Sequence, residues 1–143
     1  MKPNTVSAVA HLNFRGQARD ALNFYQSVFG GEVMAMTYKD FGQVTDEAEA
    51  DQLIWGQVAA DNGFRVMAYD VPSATPYHPG QNAFLVALET ETPGQVSAYW
   101  DKIANGATIT VPLAPAQWTP LFGMLTDRFG IAWALSVATP QNG

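Results

Sequence analysis

The sequence has no cysteine among its 143 residues, which excludes disulfide bonds, thiolate metal sites and cysteine nucleophiles. A chain without cysteine is compatible with a reducing compartment, and we expect a cytoplasmic protein. The N-terminal stretch holds one lysine and no apolar run of the secretory type, so no signal peptide is predicted.

Basic residues and long apolar runs are also scarce. The chain has 7 Lys and Arg against 13 Asp and Glu, a net charge of −6, and phosphate binding needs a basic face, so we predict no nucleic-acid partner. No apolar run approaches the roughly 20 residues of a membrane-spanning helix, so no membrane partner is expected. Charged residues are 14% of the chain and aromatic residues 12%, and a ligand pocket or a subunit interface would cover the resulting apolar surface.

The first half of the chain alternates between strand and helix patterns. Residues 6–14 alternate in polarity and predict a strand with His11 on its half-polar face. Apolar residues at helical spacing predict a helix over residues 17–29, which Gly30 and Gly31 end because glycine takes the left-handed conformation without a steric penalty. Further strands are predicted at residues 32–38, 53–60 and 64–70.

Two connections in this half carry their own signals. The stretch Asp61-Asn62-Gly63 between β-rich runs predicts a hairpin with a type I′ turn. Residues 40–51 are acidic, which is compatible with a divalent cation or a basic partner. Blocks of like charge usually form solvated loops, however, and we favour a loop.

The second half repeats the order of the first. A strand at residues 84–89 precedes a capping box, Thr92-Pro93-Gly94-Gln95, that starts a helix. A strand at 107–111, a proline-rich loop at 112–120 and a closing hairpin around residues 127–130 follow. The duplication predicts an α+β fold in which two βαβββ modules form a curved mixed sheet around a cleft. We expect a single domain over residues 1–143, with module one at about 6–70, a linker at 71–81 and module two at about 82–137.

Several stretches of this repeat match the motifs of a known family. They are residues 12–16 (LNFRG), residues 24–31 (FYQSVFGG), Trp118 with Phe122-Gly123, and residues 127–133 (DRFGIAW). On these stretches the chain resembles the vicinal oxygen chelate, or glyoxalase/bleomycin-resistance/dioxygenase, superfamily and its PhnB-like branch. The resemblance extends from about Val6 to Val137 and carries fold better than activity.

The resemblance also implies where a metal centre would lie. Metal enzymes of this superfamily take one ligand from the first strand and one from the last strand of each module. The corresponding positions here are His11, Met67, Ala83 or Phe84 with Asn82 nearby, and Ala134. Only His11 is a good ligand, whereas catalytic zinc usually has three protein ligands, so we predict no metal centre and no cofactor.

His11 and a set of aromatic residues are the candidate ligand-binding residues. His11 is interpreted as a pocket general base or hydrogen-bonding group, or alternatively as a half-buried side chain satisfied by Asn13 or a backbone carbonyl. Aromatic side chains on or beside the predicted strands suit a flat or apolar ligand, with ordinary core packing as the alternative. They are Trp55, Tyr69, Trp118, Phe122 and Trp133, and Trp118 is favoured because it lies in a loop.

No catalytic residue is assigned. The serines lack a nucleophile-elbow context, and Asp127 and Arg128 are interpreted as turn residues rather than a polarised carboxylate. His78, in the proline-rich linker, is expected to be exposed.

Three functional classes follow from these patterns. We favour a homodimeric protein that binds a small apolar or aromatic molecule on its concave face without the usual metal centre. The alternative is a metal-dependent lyase, isomerase or dioxygenase of the glyoxalase superfamily, which would need His11 and further ligands. The third is a structural or interaction module whose pocket is filled by its own side chains.

Overall fold

The computed structural model describes residues 4–139, and within them the chain forms two compact units. Unit 1 ends at Pro79 and unit 2 begins at Gly80, so the boundary lies inside the segment that we predicted as a linker. Each unit contains one helix and one four-stranded mixed sheet in βαβββ order, which confirms the α+β fold of two modules. Among the described residues, neither helix is long and apolar enough to cross a membrane.

Unit 1 has its sheet in the order β1-β4-β3-β2, with β1 and β4 parallel and the other neighbours antiparallel. Its elements are β1 (Ala10–Phe14), α1 (Ala18–Phe29), β2 (Glu32–Thr37), a 3₁₀ turn (Glu47–Glu49), β3 (Leu53–Ala59) and β4 (Arg65–Asp70). The helix buries the apolar stripe that its spacing predicts, namely Ala18, Ala21, Leu22, Tyr25, Val28 and Phe29.

The start of α1 is held by a residue far away in the sequence. Gln17 occupies the N-cap position without a side-chain cap bond. Asp70, only 1% exposed, takes over this role: its Oδ1 accepts from the backbone N–H groups of Gly16 (2.7 Å) and Ala18 (3.0 Å). Its Oδ2 accepts from the backbone N–H of Leu53 at 2.9 Å. One buried carboxylate therefore joins β4 to the starts of both α1 and β3.

The hairpin between β3 and β4 is confirmed, but its predicted type I′ turn is wrong. Gly63 has a φ of 100°, whereas Asn62 is not in the positive-φ region that this turn requires. The connection is longer, because the backbone pair that closes it is Ala60 with Phe64 at 2.9 Å. Asn62 instead uses its side chain, accepting from the Phe64 N–H at 3.0 Å and donating to the Phe29 carbonyl at 3.3 Å.

Unit 2 repeats this topology with the order β5-β8-β7-β6, and β5 and β8 are parallel. Its elements are β5 (Val86–Thr90), α2 (Pro93–Ile103), β6 (Thr108–Ala116), β7 (Thr119–Thr126) and β8 (Ala132–Val137). The predicted capping box is confirmed: Thr92 Oγ1 accepts from the Gln95 N–H, and Gln95 Oε1 accepts from the Thr92 N–H. Unit 2 therefore starts its helix with local residues, unlike unit 1.

The proline-rich loop predicted at residues 112–120 is wrong, because β6 continues to Ala116. Pro112 and Pro115 lie inside this strand. It is the edge strand of the sheet, and its pairing with β7 is interrupted by register shifts, so the missing N–H groups break few ladder bonds. The loop shrinks to a turn at Gln117 and Trp118.

A glycine in the third strand of each unit lets the helix approach the sheet closely. A Cβ on Gly56 would lie 2.4 Å from Cδ1 of Leu22 in α1, and a Cβ on Gly123 would lie 2.7 Å from two ring atoms of Trp100 in α2. Residues alternate between faces along a strand, so the neighbours of these glycines point away from the helix. We call the face turned away from a unit's own helix the far face.

Candidate functional site

The far face of unit 1 carries a continuous row of side chains across its strands. The register places His11 opposite Met67, Met67 opposite Gln57, and Gln57 opposite Met34. All four positions point to one face because paired residues in neighbouring strands share a face. Met34 is 48% exposed, and Met67 and Gln57 are half-buried, so the row forms an accessible surface of one imidazole, two thioethers and one amide.

A second row runs beside the first and contains its aromatic residues. Asn13 lies opposite Tyr69, and Met36 lies opposite Trp55. The indole N–H of Trp55 donates to Sδ of Met67 at 3.4 Å, which ties the two rows together. Trp55 and Tyr69, which we predicted as ligand-binding residues, therefore lie on the same sheet face as His11.

His11 is held at its edge of the face by two neighbours. Its Nδ1 lies 2.9 Å from Oδ1 of Asn13, and its ring meets the edge of Tyr69 with 5.4 Å between ring centroids. The Asn13 contact was foreseen in the second interpretation of His11. The side chain is exposed, however, and not half-buried as that interpretation supposed. The imidazole is therefore accessible and has a fixed orientation.

The linker between the units is bound to the end of β1 by Arg15. Its guanidinium donates to the carbonyl oxygens of Val71 (3.3 Å), Pro72 (3.1 Å) and Thr75, and its Cζ lies 5.2 Å from the centroid of the Tyr77 ring. The Tyr77 hydroxyl donates to the backbone carbonyl of Asn13 at 3.4 Å. The segment from Val71 to Tyr77 thus runs beside the His11 edge of the far face and fixes the backbone there.

The four positions of the usual metal centre do not supply a ligand set. The register confirms Met67 as the partner of His11, and in unit 2 it pairs Ala87 with Ala134. Ala87 is therefore the counterpart of His11. The predicted Ala83 or Phe84 is wrong because β5 begins only at Val86, and Asn82 lies in the segment before it. One imidazole, one thioether and two methyl groups do not fit a divalent ion. Within residues 4–139, no three His, Asp or Glu side chains are grouped to hold one.

The remaining predicted aromatic residues lie in unit 2 and divide into two environments. Trp118 is 63% exposed in the turn before β7, and its ring meets that of Phe122 edge-on at 5.3 Å. Trp133 is fully buried, and its indole N–H donates to Oδ2 of Asp127 at 2.9 Å. At Trp133 the structure supports the core interpretation and not the pocket, because alternation along β8 turns this side chain towards the helix.

The charged candidates have structural partners. Asp127 is buried and accepts from the backbone N–H groups of Phe129 (2.8 Å) and Ile131 (3.0 Å), as its interpretation as a turn residue supposed. Arg128 donates to the carbonyl of Asn105.

In the acidic segment, Asp46 caps the 3₁₀ turn by accepting from the Ala48 N–H. Hydrogen bonds to the Asp40 carboxylate from Thr37, first from its backbone N–H at 2.8 Å and then from its side chain, lower the pKa of Asp40. His78 is exposed, as expected.

Sequence reasoning missed several residues that shape this part of the molecule. From the sequence, Asp70 was interpreted only as the end of a strand. In the structure its carboxylate holds the start of α1, and its backbone carbonyl accepts from the Tyr38 hydroxyl at 2.6 Å. Burial, followed by the charges of neighbouring acidic groups, raises the pKa of Tyr38. Met34 and Met36 were not assigned to the site. Their alternation with Val33 and Ala35 was the available signal, because it places both methionines on one face.

Comparisons with known proteins agree with this architecture. The family model of the Glyoxalase/Bleomycin resistance protein/Dioxygenase superfamily matches residues 8–135. The chain is 25% identical over 142 residues to Protein YjdN of Escherichia coli strain K12, covering 92% of this chain and 95% of that protein.

Solved structures show the same fold. The crystal structure of protein PA1353 from Pseudomonas aeruginosa is 29% identical with a TM-score of 0.80, covering 95% of this chain and all of that one. A PhnB protein from Bacillus cereus is 22% identical with a TM-score of 0.68, covering 93% of this chain and all of that one, and shows the fold alone. The PhnB-like resemblance is confirmed at the level of fold.

Proposed function

The chain belongs to the glyoxalase/bleomycin resistance protein/dioxygenase superfamily, and on this premise we propose that it binds a small aromatic or apolar molecule on the far face of unit 1, without the superfamily's usual metal centre. The observation that carries the proposal is the row of His11, Met67, Gln57 and Met34, bordered by Trp55 and Tyr69. Ligand sites are commonly apolar and aromatic surfaces with a few fixed polar groups.

Side-chain chemistry favours this face over a metal site. Methionine is flexible and polarisable, so a group of methionines adapts its shape to an aromatic ligand. Trp55 and Tyr69 offer flat surfaces for stacking. The metal-dependent lyase, isomerase or dioxygenase would need at least two more nitrogen or oxygen ligands beside His11, and the register puts Met67, Ala87 and Ala134 in their places.

Binding of naphthalene-type probes to the full chain, measured by calorimetry and by thermal shift, tests the proposal. Met67→Glu places a carboxylate in the centre of the face, and because burying a charge is costly we expect at least about tenfold weaker binding. Met124→Glu makes the same change on the far face of unit 2 and is the matched control, expected to leave the affinity unchanged.

Equal losses in both variants would place the ligand elsewhere, and no stabilisation by any member of a broad aromatic library would refute the proposal. Metal analysis of protein purified without added metal gives a separate check. Stoichiometric divalent ion in that protein would favour the metal-dependent alternative.

We also propose that the protein is a homodimer, as expected from its composition. Large apolar side chains are exposed at several places, and contact with a second copy would cover them. They are Val6, Phe41, Phe84, Ile109, Val111 and Trp118. Light scattering across a concentration series measures this, and a mass of one chain at all concentrations would contradict it. The cytoplasmic location stays a prediction from the absence of cysteine.

A further inference from the structure

We propose that the ligand of the far face of unit 1 carries a hydrogen-bond donor on its aromatic ring, an O–H or N–H, which it gives to Nε2 of His11. The inference rests on the proposed function and adds the chemical class of the ligand. Phenols and aromatic amines or amides belong to this class. Aromatic ethers and unsubstituted hydrocarbons of the same shape do not.

The contact between His11 and Asn13 fixes which ring nitrogen carries the hydrogen. Oδ1 of Asn13 is a carbonyl oxygen and can only accept, so Nδ1 of His11, at 2.9 Å, must donate. In the neutral imidazole the other nitrogen, Nε2, then has a free lone pair. Within the described residues, His11 makes no other hydrogen bond, so this acceptor is available on an exposed side chain.

Two other polar groups of the face are already used within the protein. The indole N–H of Trp55 donates to Met67. The Oε1 atom of Gln57 accepts from Nε of Arg65 at 2.8 Å. The first bond occupies a strong donor and the second an amide acceptor, whereas Nε2 of His11 is an oriented acceptor without a partner among the described residues. A ligand that brings its own donor matches it.

The imidazole is held in place before any ligand arrives. Tyr69 meets the ring edge-on, and the Tyr77 hydroxyl fixes the backbone of Asn13, which in turn orients His11. Arg15 holds the linker segment that carries Tyr77. A group ordered in advance loses little conformational entropy when it binds, so its hydrogen bond contributes more to affinity.

The partner of Nδ1 also indicates that His11 binds rather than catalyses proton transfer. In histidine-based catalysis a carboxylate behind the ring stabilises the imidazolium that forms when the base takes a proton. Asn13 is neutral, so it orients the ring but stabilises its charged form less than a carboxylate would. We therefore assign Nε2 as a binding acceptor and Asn13 as its positioning residue.

A matched pair of probes tests the inference on the full chain at about pH 8, above the ordinary titration range of imidazole. The probes are 2-naphthol and 2-methoxynaphthalene, which share a ring system and differ in the O–H. We expect wild-type protein to bind the naphthol about fivefold to tenfold more tightly, the usual value of one hydrogen bond. His11→Phe keeps an aromatic ring and should abolish the preference while retaining affinity for the ether.

A second measurement does not depend on the ligand. In the His78→Gln variant His11 is the one imidazole of the chain, and its ¹⁵N chemical shifts report the tautomer. We expect the hydrogen on Nδ1, and Asn13→Ala should remove this preference while the protein stays folded. Hydrogen on Nε2 in the parent variant would overturn the inference.

The outcomes separate the two proposals. If both probes bind equally and Met67→Glu weakens both, the proposed function stands and the donor requirement is overturned. Tighter binding of the ether than of the naphthol overturns it as well. If neither probe binds, nor any other aromatic donor, both proposals fail.

Discussion

The two units have the same topology and differ on their far faces, position by position. The unit 1 row His11-Met67-Gln57-Met34 corresponds in register to Ala87-Ala134-Met124-Val111 in unit 2. The next row pairs Asn13-Tyr69 in unit 1 and Glu89-Ser136 in unit 2. At three of these places unit 1 has a large or aromatic residue where unit 2 has a small one: His11, Met67 and Tyr69 correspond to Ala87, Ala134 and Ser136.

The helix sides of the same sheets are much more alike. Both units bury an apolar helix stripe, and both place a glycine under the helix in the third strand. Close packing restricts what these positions accept, whereas the far face has no such constraint from the unit's own helix. The fold is therefore maintained on one side of each sheet, while the side chains available for binding a ligand differ on the other.

Unit 1 holds the start of its helix through the distant, buried Asp70, whereas unit 2 uses the local Thr92, and replacing Asp70 should have the largest effect. Asp70→Ala leaves three backbone donors without their acceptor, at Gly16, Ala18 and Leu53. We expect the free energy of unfolding to fall by roughly 3 kcal/mol or more. Asp127→Ala should cost less, about 2 kcal/mol, because the backbone donors at Phe129 and Ile131 lie in a turn that water can reach.

Urea unfolding of both variants measures these values. Asp61→Ala, an exposed turn residue, is the control and should change stability by less than about 0.5 kcal/mol. An unchanged unfolding midpoint for Asp70→Ala would show that the distant cap of α1 does not hold unit 1 together.

Replacing the glycine under each helix with alanine should lower the stability of the protein by different amounts. A Cβ at Gly123 would press on the rigid ring of Trp100 and on Cα of Leu113, at 2.7 and 3.1 Å, so we expect a loss of about 2 kcal/mol. At Gly56 the main clash is with the mobile end of Leu22, and the loss should be about half as large.

Thermal and urea unfolding of Gly123→Ala and Gly56→Ala would show which variant loses more stability. Gly94→Ala, in the first turn of α2 with only Thr92 at 4.0 Å, is the control and should be neutral or stabilising. A Gly56 variant that is the less stable of the two would mean that Leu22 cannot move aside.

The smallest expected effect is the pH dependence of stability that arises from Tyr38. This residue lies in unit 1 and donates its hydroxyl to the Asp70 carbonyl. Burial raises its pKa, so the fold favours the neutral phenol. The resulting contribution to stability is complete below about pH 10, the ordinary value for tyrosine, and is lost as the pH rises beyond it.

Urea unfolding at about pH 8 and pH 11 tests this, with Tyr38→Phe as the comparison, because phenylalanine does not titrate. We expect the wild type to lose more stability between the two pH values than the variant does. Identical losses would exclude Tyr38 as the titrating group.

Much of the fold was predictable because it follows from local periodicity. The stripe of α1 and the capping box at Thr92 both depend on residues within a few positions of one another. The errors arose where distant residues decide. Pro112 and Pro115 were predicted to lie in a loop, but they lie in β6, which can contain prolines because it is the edge strand of its sheet. The counterpart of His11 was predicted at Ala83 or Phe84, but the pairing of β5 with β8 places it at Ala87.

The candidate site was only partly predictable for the same reason. His11, Trp55 and Tyr69 were identified as single residues, but not as neighbours of Met34 and Met36, and Trp133 turned out to belong to the core. Which side chains share a face depends on strand register, and register is set by pairing between strands far apart in the chain.

Local patterns along the chain specify the two modules, their helices and the polarity of their strands, because hydrophobic periodicity and capping act over a few residues. Which residues come into contact depends instead on the tertiary structure. The bond between Asp70 and Gly16 spans 54 positions, and the rows of the far face join four strands. Contacts of this kind form when the chain closes long loops, and no local pattern specifies their partners.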